Sequence, residues 1–472
     1  MLSKINVFNY LSVVIVFMLS TIAFLYGEKV HSSFVRSDEW RFIDVYLVPL
    51  YEGVFSWKYL FMDQHSSSID GILFIINALY FNLTGDLFFY VGIISKILIL
   101  ILLTLVIKKN FKNNSIFCLF ALLLIGTTFF SLKATMEYQW PLVTRFSFFV
   151  LLFLMAFYFI DKIIQKNNNT VKYFIYIYLI LIILLLAHKS GATIMISSAI
   201  ALMVALLIFN KENRTKYVYL ILLFFAAFLT IKLFWIIFSI EQSHSVNSKI
   251  NFYNFSIMSF MESYVLALLS GFVKIEFLKK NLEISTLLFL GYTYGLIYFI
   301  VIFYSMKFKT YEKSTIPLIL MFYPLLFILG VLLYRYFPVY GEVNWLVISP
   351  RYIKTYELGT VGLLWNILLI YDKVKLDRWK NNMLISLGFL FILINIYYMY
   401  FSYKTSNAFV KAFSNADEKF YYYAGDKDSL PKWLKGGHFS DEKVQFLKKN
   451  NLNIFNENYN FKEFNPHIKN KL

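Results

Sequence analysis

The sequence predicts an all-α polytopic membrane protein of about eleven transmembrane helices, and three observations lead there. The 472 residues are 59% hydrophobic and 20% aromatic with only 15% charged, and the mean hydropathy is +0.61, too apolar for a soluble chain of this length. Runs such as 13–25, 97–107, 147–160, 178–187 and 385–398 carry no charge. A bilayer core of roughly 30 Å takes about 20 such residues as helix, whereas membrane-spanning strands alternate over about ten. The polar loops between the runs alternate between cation-rich and cation-poor, which is a topology signal.

The net charge of +17, from 45 Lys and Arg against 28 Asp and Glu, sits in short clusters between apolar runs. It is not gathered on one face or tail, so no nucleic-acid partner is expected. The single cysteine, Cys118, cannot form an intramolecular disulfide. There is no P-loop lysine motif, no HExxH and no CxxC, so nothing points to ATP hydrolysis or to those zinc sites. No cofactor is required, and a divalent cation is left open. Within the spans Lys96, Arg145 and Lys232 are the charged exceptions; each is assigned to a helix end, which argues against an ion pump or proton relay.

Taken in order, Leu11 to Tyr26 reads as a retained signal anchor. A charged extracytoplasmic loop follows over 27–86, containing a weak apolar piece from Ile69 to Leu83, and the next strong helix runs from Leu87 to Ile107. Cation-rich loops at 108–112, 162–172, 211–216, 307–313 and 373–380 are cytoplasmic by the positive-inside rule. Segment 252–285 mixes Glu262, Lys274, Glu276 and Lys279 with Phe255, Met258 and Leu266, and it reads as interfacial helices on the outer leaflet. The transmembrane domain is drawn as 1–401, with a last span from Met383 to Tyr400. The extracytoplasmic tail, 402–472, is expected to pack on the outer loops as a small α/β region, with LKKNNLNIF at 447–455 a helix end followed by a short strand.

Chemistry is expected in the first loop, where Phe34 to Asp70 gathers Asp38, Glu39, Asp44, Glu52, Asp63 and Asp70 with Arg36, Arg41, Lys58 and His65. The run SDEWRFIDVYLVPLYEGVFSWKYLFMDQHSSSIDGILFIINALYFNLTGDLFFYVGIISK resembles the first outer loop of GT-C-type integral-membrane glycosyltransferases, the aminoarabinose and protein-mannosyl transferase type. Asp38 and Glu39 match that family's acidic pair, Gln64 and His65 its basic stretch, and Leu83 to Asp86 its helix end. Ser66 to Ser68 stand where the family has prolines, and Gly92 to Lys96 lacks its arginine. The resemblance implies transfer of a sugar from a polyprenyl-phosphate donor to a glycan or lipid acceptor in cell-surface polysaccharide synthesis, at a bacterial inner membrane, with Asp38 activating the acceptor hydroxyl.

A leaving phosphate needs cations as charge builds on it. Candidates are His188 and Lys189 in a tight turn, and Arg335, Arg351 and Lys354 in an outer loop that is cationic against the topology trend. Glu137 is a weaker candidate for lining an acceptor groove. Two rival functions share the composition: a polymerase of O-antigen or capsule repeat units, and a transporter or flippase of lipid-linked sugars.

Overall fold

The computed structural model describes residues 4–32, 35, 39–61, 68–112, 114–165, 170–187, 189–238, 255–334, 343–374, 378–423, 425, 430–431, 434 and 438–457. The principal helices are α1 (Lys4–Val30), α2 (Ser68–Phe81), α3 (Asp86–Asn110), α4 (Ser115–Phe129), α5 (Phe146–Ile164), α6 (Thr170–Ala187) and α7 (Lys189–Phe209). They continue as α8 (Arg214–Phe238), α9 (Ile257–Ser270), α10 (Ile284–Lys307), α11 (Ile316–Tyr334), α12 (Pro350–Val374), α13 (Arg378–Tyr421) and α14 (Asp441–Lys449). Among the described residues nine helices are long and apolar enough to cross a membrane, and no strand of a sheet is present. The protein is therefore an all-α polytopic membrane protein.

The short α4 is the axle of the bundle. It packs on α1, α3, α12 and α13 and is buried along most of its length. Asn114 caps it, accepting from the Phe117 N–H at 3.0 Å. The helix ends fall into two sets. At one end the Ser32 N–H donates to the Gln139 carbonyl (3.0 Å) and the Ser402 hydroxyl to the Leu132 carbonyl (3.4 Å). At the other, Lys216 reaches the Ile163 carbonyl (2.8 Å) and Lys373 the Phe308 carbonyl (2.7 Å). Asp161 there accepts from the Thr315 N–H (2.7 Å) and the Ser314 hydroxyl (2.6 Å), closing the start of α11.

A second hydrophobic core lies beyond the first of these ends. It joins first-loop residues, including Trp40, Phe42, Tyr46 and Phe74, to Phe420, Leu434, Val444 and Leu447 of the tail. Trp40 is fully buried, donates its indole N–H to the Leu434 carbonyl at 2.8 Å and meets Phe420 and Phe439 edge-on. Lys443 pairs with Asp44 at 2.6 Å. The tail thus docks on the first loop to form a cap.

Several expectations change. Lys96 is not at a helix end: it is the eleventh of the 25 residues of α3 and wholly buried. The last long helix does not stop near residue 400 but continues to Tyr421, because its distal part packs into the cap through Phe413, Ala416 and Phe420. No short strand follows the tail helix among the described residues. Asn451 and Asn453 take left-handed backbone angles (φ 52° and 55°), and 453–455 form a tight helical turn held by Asn453 Nδ2 donating to the Leu83 carbonyl at 2.6 Å. Within the segment read as interfacial helices, 257–270 is indeed helical, as α9, with its inner face buried against α10, α11 and α12.

Replacing Trp40 by Ala removes the largest fully buried side chain of the cap and strands the Leu434 carbonyl, a loss of about 3–5 kcal/mol. Limited proteolysis in detergent is expected to release the tail beyond residue 421 from Trp40→Ala while the bundle stays resistant. An unchanged cleavage pattern means the docking does not depend on this residue.

Candidate functional site

Helix α4 ends at Phe129, and the chain then threads residues 130–145 between its neighbours. Its two short helices, Thr135–Gln139 and Pro141–Thr144, are separated by an extended Trp140. Proline at the first position of the second helix supplies a preset φ and removes a donor that would have no helical partner. Twelve of the sixteen residues of this turn are buried and none is exposed, so its backbone has to find partners inside the protein. Thr144 Oγ1 donates to the Trp140 carbonyl (3.2 Å) and the Glu137 carbonyl, and the Lys354 ammonium donates to the Phe129 carbonyl. Gly92 lets α3 lie directly on the turn, because a Cβ there would overlap the Thr144 backbone.

One turn further along α3, Lys96 Nζ lies 2.9 Å from Glu137 Oε2 and 3.6 Å above the Tyr138 ring. The other Glu137 oxygen accepts from Ser147 at 3.0 Å. Lys354 of α12 is shared, 3.9 Å from Glu137 and 3.3 Å from Glu357 on the next turn of its own helix. Glu357 also accepts from Ser131 and pairs with Lys133 at 3.8 Å, whose ammonium donates to the Phe272 carbonyl after α9 (3.0 Å). All five ionisable residues are at most 4% exposed.

Three ammonium groups face two carboxylates, so with every member ionised the cluster holds one positive charge in excess. Taking ions out of water costs several kcal/mol each unless geometry and extra hydrogen bonds offset it. A second buried pair flanks the cluster, Arg145 with Asp70, the guanidinium also 5.4 Å from the Phe149 ring centroid.

Among the predicted site residues, Glu137 and Lys354 are brought together by this cluster. Arg351 lies one turn before Lys354, its guanidinium 4.7 Å from the Tyr352 ring centroid. Glu39 sits at the joint of cap and bundle, 7% exposed, accepting from the Trp140 indole N–H at 3.1 Å. The cavity beside it, about 10 Å³, holds no more than one water. Asp38, His65, His188 and Arg335 lie outside the described residues, as does the side chain of Lys189. Lys96, Lys133 and Glu357 were not singled out from the sequence as site residues. The available signal was a lysine flanked by apolar residues in α3 and a Lys-x-x-Glu spacing in α12. Among the described residues no group of three His, Cys, Asp or Glu gathers as for a metal ion. No family model, curated protein or solved structure matches this chain.

Removing one partner of a buried ion pair leaves the other uncompensated, at a cost of about 3–5 kcal/mol. Lys96→Met and Glu137→Gln are each expected to lower stability by amounts of that order, and the double variant by clearly less than their sum. Unfolding in mixed micelles, read as a double-mutant cycle, measures this; strict additivity would show the two side chains to be energetically independent.

Proposed function

We propose that this chain is a membrane glycosyltransferase of GT-C-like architecture that moves a sugar from a polyprenyl-phosphate donor to a glycan or lipid acceptor. The reaction belongs at the capped end of the bundle, on the extracytoplasmic face of a bacterial inner membrane. The observation that supports it best is the cationic cluster of Lys96, Lys133 and Lys354 beneath a cap built from the first loop. Ionisable residues buried in a membrane bundle are costly and mark functional sites by default. An excess positive charge there favours an anionic headgroup such as a lipid-linked phosphate.

In this reading α4 and α12 join the nine long apolar helices to make eleven spans, with the N-terminus cytoplasmic and the tail extracytoplasmic. Asp38 takes the proton of the acceptor hydroxyl. Its neighbour Glu39, bonded to Trp140, fixes the start of the first loop on the bundle. Lys354 and Arg351, on one face of α12, stabilise the departing phosphate, with His65, His188, Lys189 and Arg335 as further cations of the same end. The transporter or flippase reading stands second, because a buried cluster of five ionisable groups is also what substrate and proton pathways through membranes contain.

Purified wild type, Asp38→Asn and Lys354→Met are to be assayed for sugar transfer from a polyprenyl-phosphate donor. Loss of a general base costs about 10²–10⁴-fold, so Asp38→Asn is expected to fall at least a hundredfold and Lys354→Met to fall as well. Equal rates in wild type and Asp38→Asn remove the proposed base. Translocation of the donor across liposomes without any transfer replaces the enzyme with the transporter.

A further inference from the structure

Helices α1 and α3 lie side by side and leave a long furrow on the outside of the bundle, with a volume of about 760 Å³. That is within the range of roughly 300–1,000 Å³ seen for pockets that hold organic ligands. On α1 it runs from Ser12 past Ser20 to Phe24, and on α3 from Lys108 past Thr104 to Ile97. On α1 the small side chains of Ser12, Ser20 and Thr21 leave space among Val13, Val16 and Phe17. Phe24 closes the far end, its ring 6.3 Å from that of Phe89.

The furrow's length identifies its occupant. From Ser12 to Phe24 on α1 and from Ile97 to Lys108 on α3 the helices rise about 18 Å and about 16 Å at roughly 1.5 Å per residue. Half of a roughly 30 Å hydrocarbon core is about 15 Å. The furrow therefore spans one leaflet, from the membrane surface at Lys108 to the midplane at Phe24. Its lining is mostly apolar, and the Thr104 hydroxyl is already bonded to the Leu100 carbonyl of its own helix at 2.7 Å, which suits a hydrocarbon chain. The open end is cationic: half-buried Lys108 is followed by exposed Lys109 and Lys112. Lys109 turns to the side-chain oxygen of Gln165, and Asp161, the carboxylate near it, is already engaged by Ser314 and Thr315, so Lys108 is the cation that lines the furrow.

We infer that this furrow binds an anionic phospholipid from the leaflet at the Lys108 end, its phosphate against Lys108 and one acyl chain lying along α1 and α3. Basic pockets between transmembrane helices select anionic headgroups in this way. The site is at the opposite end of the bundle from the Lys96–Glu137 cluster's cap, and it does not depend on the transferase reading.

The full chain in neutral detergent, titrated with phosphatidylglycerol or phosphatidylcholine, provides the test, with affinity read by native mass spectrometry and thermal unfolding. Wild type is expected to bind phosphatidylglycerol at least fivefold more tightly and to unfold at a higher temperature in its presence. One cation near the surface accounts for about fivefold in affinity, so Lys108→Gln is expected to lose most of the preference. Ser20→Phe fills the furrow and is expected to abolish the binding; Thr104→Phe fills it from the other wall and serves if Ser20→Phe does not fold. Equal binding of the two lipids by wild type overturns the inference. A phosphatidylglycerol preference that persists unchanged in Lys108→Gln and in the filled variant also overturns it, by locating the lipid elsewhere.

Discussion

Five ionisable side chains buried in an apolar bundle set the terms for the elements around them. Lys96, Lys133, Glu137, Lys354 and Glu357 come from three separate stretches of chain, and each has to arrive at the same depth or leave a charge without its partner. That requirement accounts for an otherwise odd helix. Were α4 as long as its neighbours, the 130–145 turn would emerge beyond them and Glu137 could not meet Lys96 in the middle of α3. The close approaches follow from the same need. Gly92 brings α3 onto Thr144, and Gly271 lies against the backbone of Tyr356, which brings the Phe272 carbonyl within reach of Lys133.

The two cores obey different physics. In the cap, where the first loop meets the tail, Trp40, Phe420 and Val444 leave water on folding, and the hydrophobic effect drives their contact. Inside a bilayer that force disappears, since lipid tails are as apolar as leucine, and helix association relies on packing and polar contacts. Leucine and isoleucine fill α4 and α6 but cannot distinguish one neighbour from another. Lys354, placed between Glu137 and Glu357, can. A buried ion pair is weak evidence for stability, yet it penalises every register in which one partner is missing.

Hydropathy exposes the long spans because a bilayer crossing demands a run that nothing else does. The same averaging hides the cluster. Lys96 is diluted by the apolar residues on either side, so its depth is lost and only its presence remains. In α12 the reverse happens: Arg351, Lys354 and Glu357 lower the hydropathy of a helix whose residues from Tyr352 to Leu363 are all buried. Neither helix reveals that its lysine shares Glu137, because that residue lies in a turn whose inward path has no local signature. In the tail, the LNIF stretch alternates as a strand would, but the left-handed Asn451 and Asn453 and the bonds of Asn453 to the first loop override that pattern.

In the proposed reading, a closed cluster constrains how an anionic headgroup acts there. Glu137 and Glu357 already occupy the positions a phosphate would take beside Lys354, so a phosphate can enter only by exchange, releasing a carboxylate as it arrives. Exchange of one monoanion for another leaves the buried charge nearly constant, which avoids the desolvation cost of adding an ion to an empty site. The released carboxylate has a direction available to it. Glu137 stands on a short turn carried between α4 and α5, whereas Glu357 lies within a 25-residue helix, so in that reading Glu137 is the carboxylate that gives way. Its far side is bonded to Glu39 through Trp140, which ties any displacement of Glu137 to the loop that carries the acidic pair.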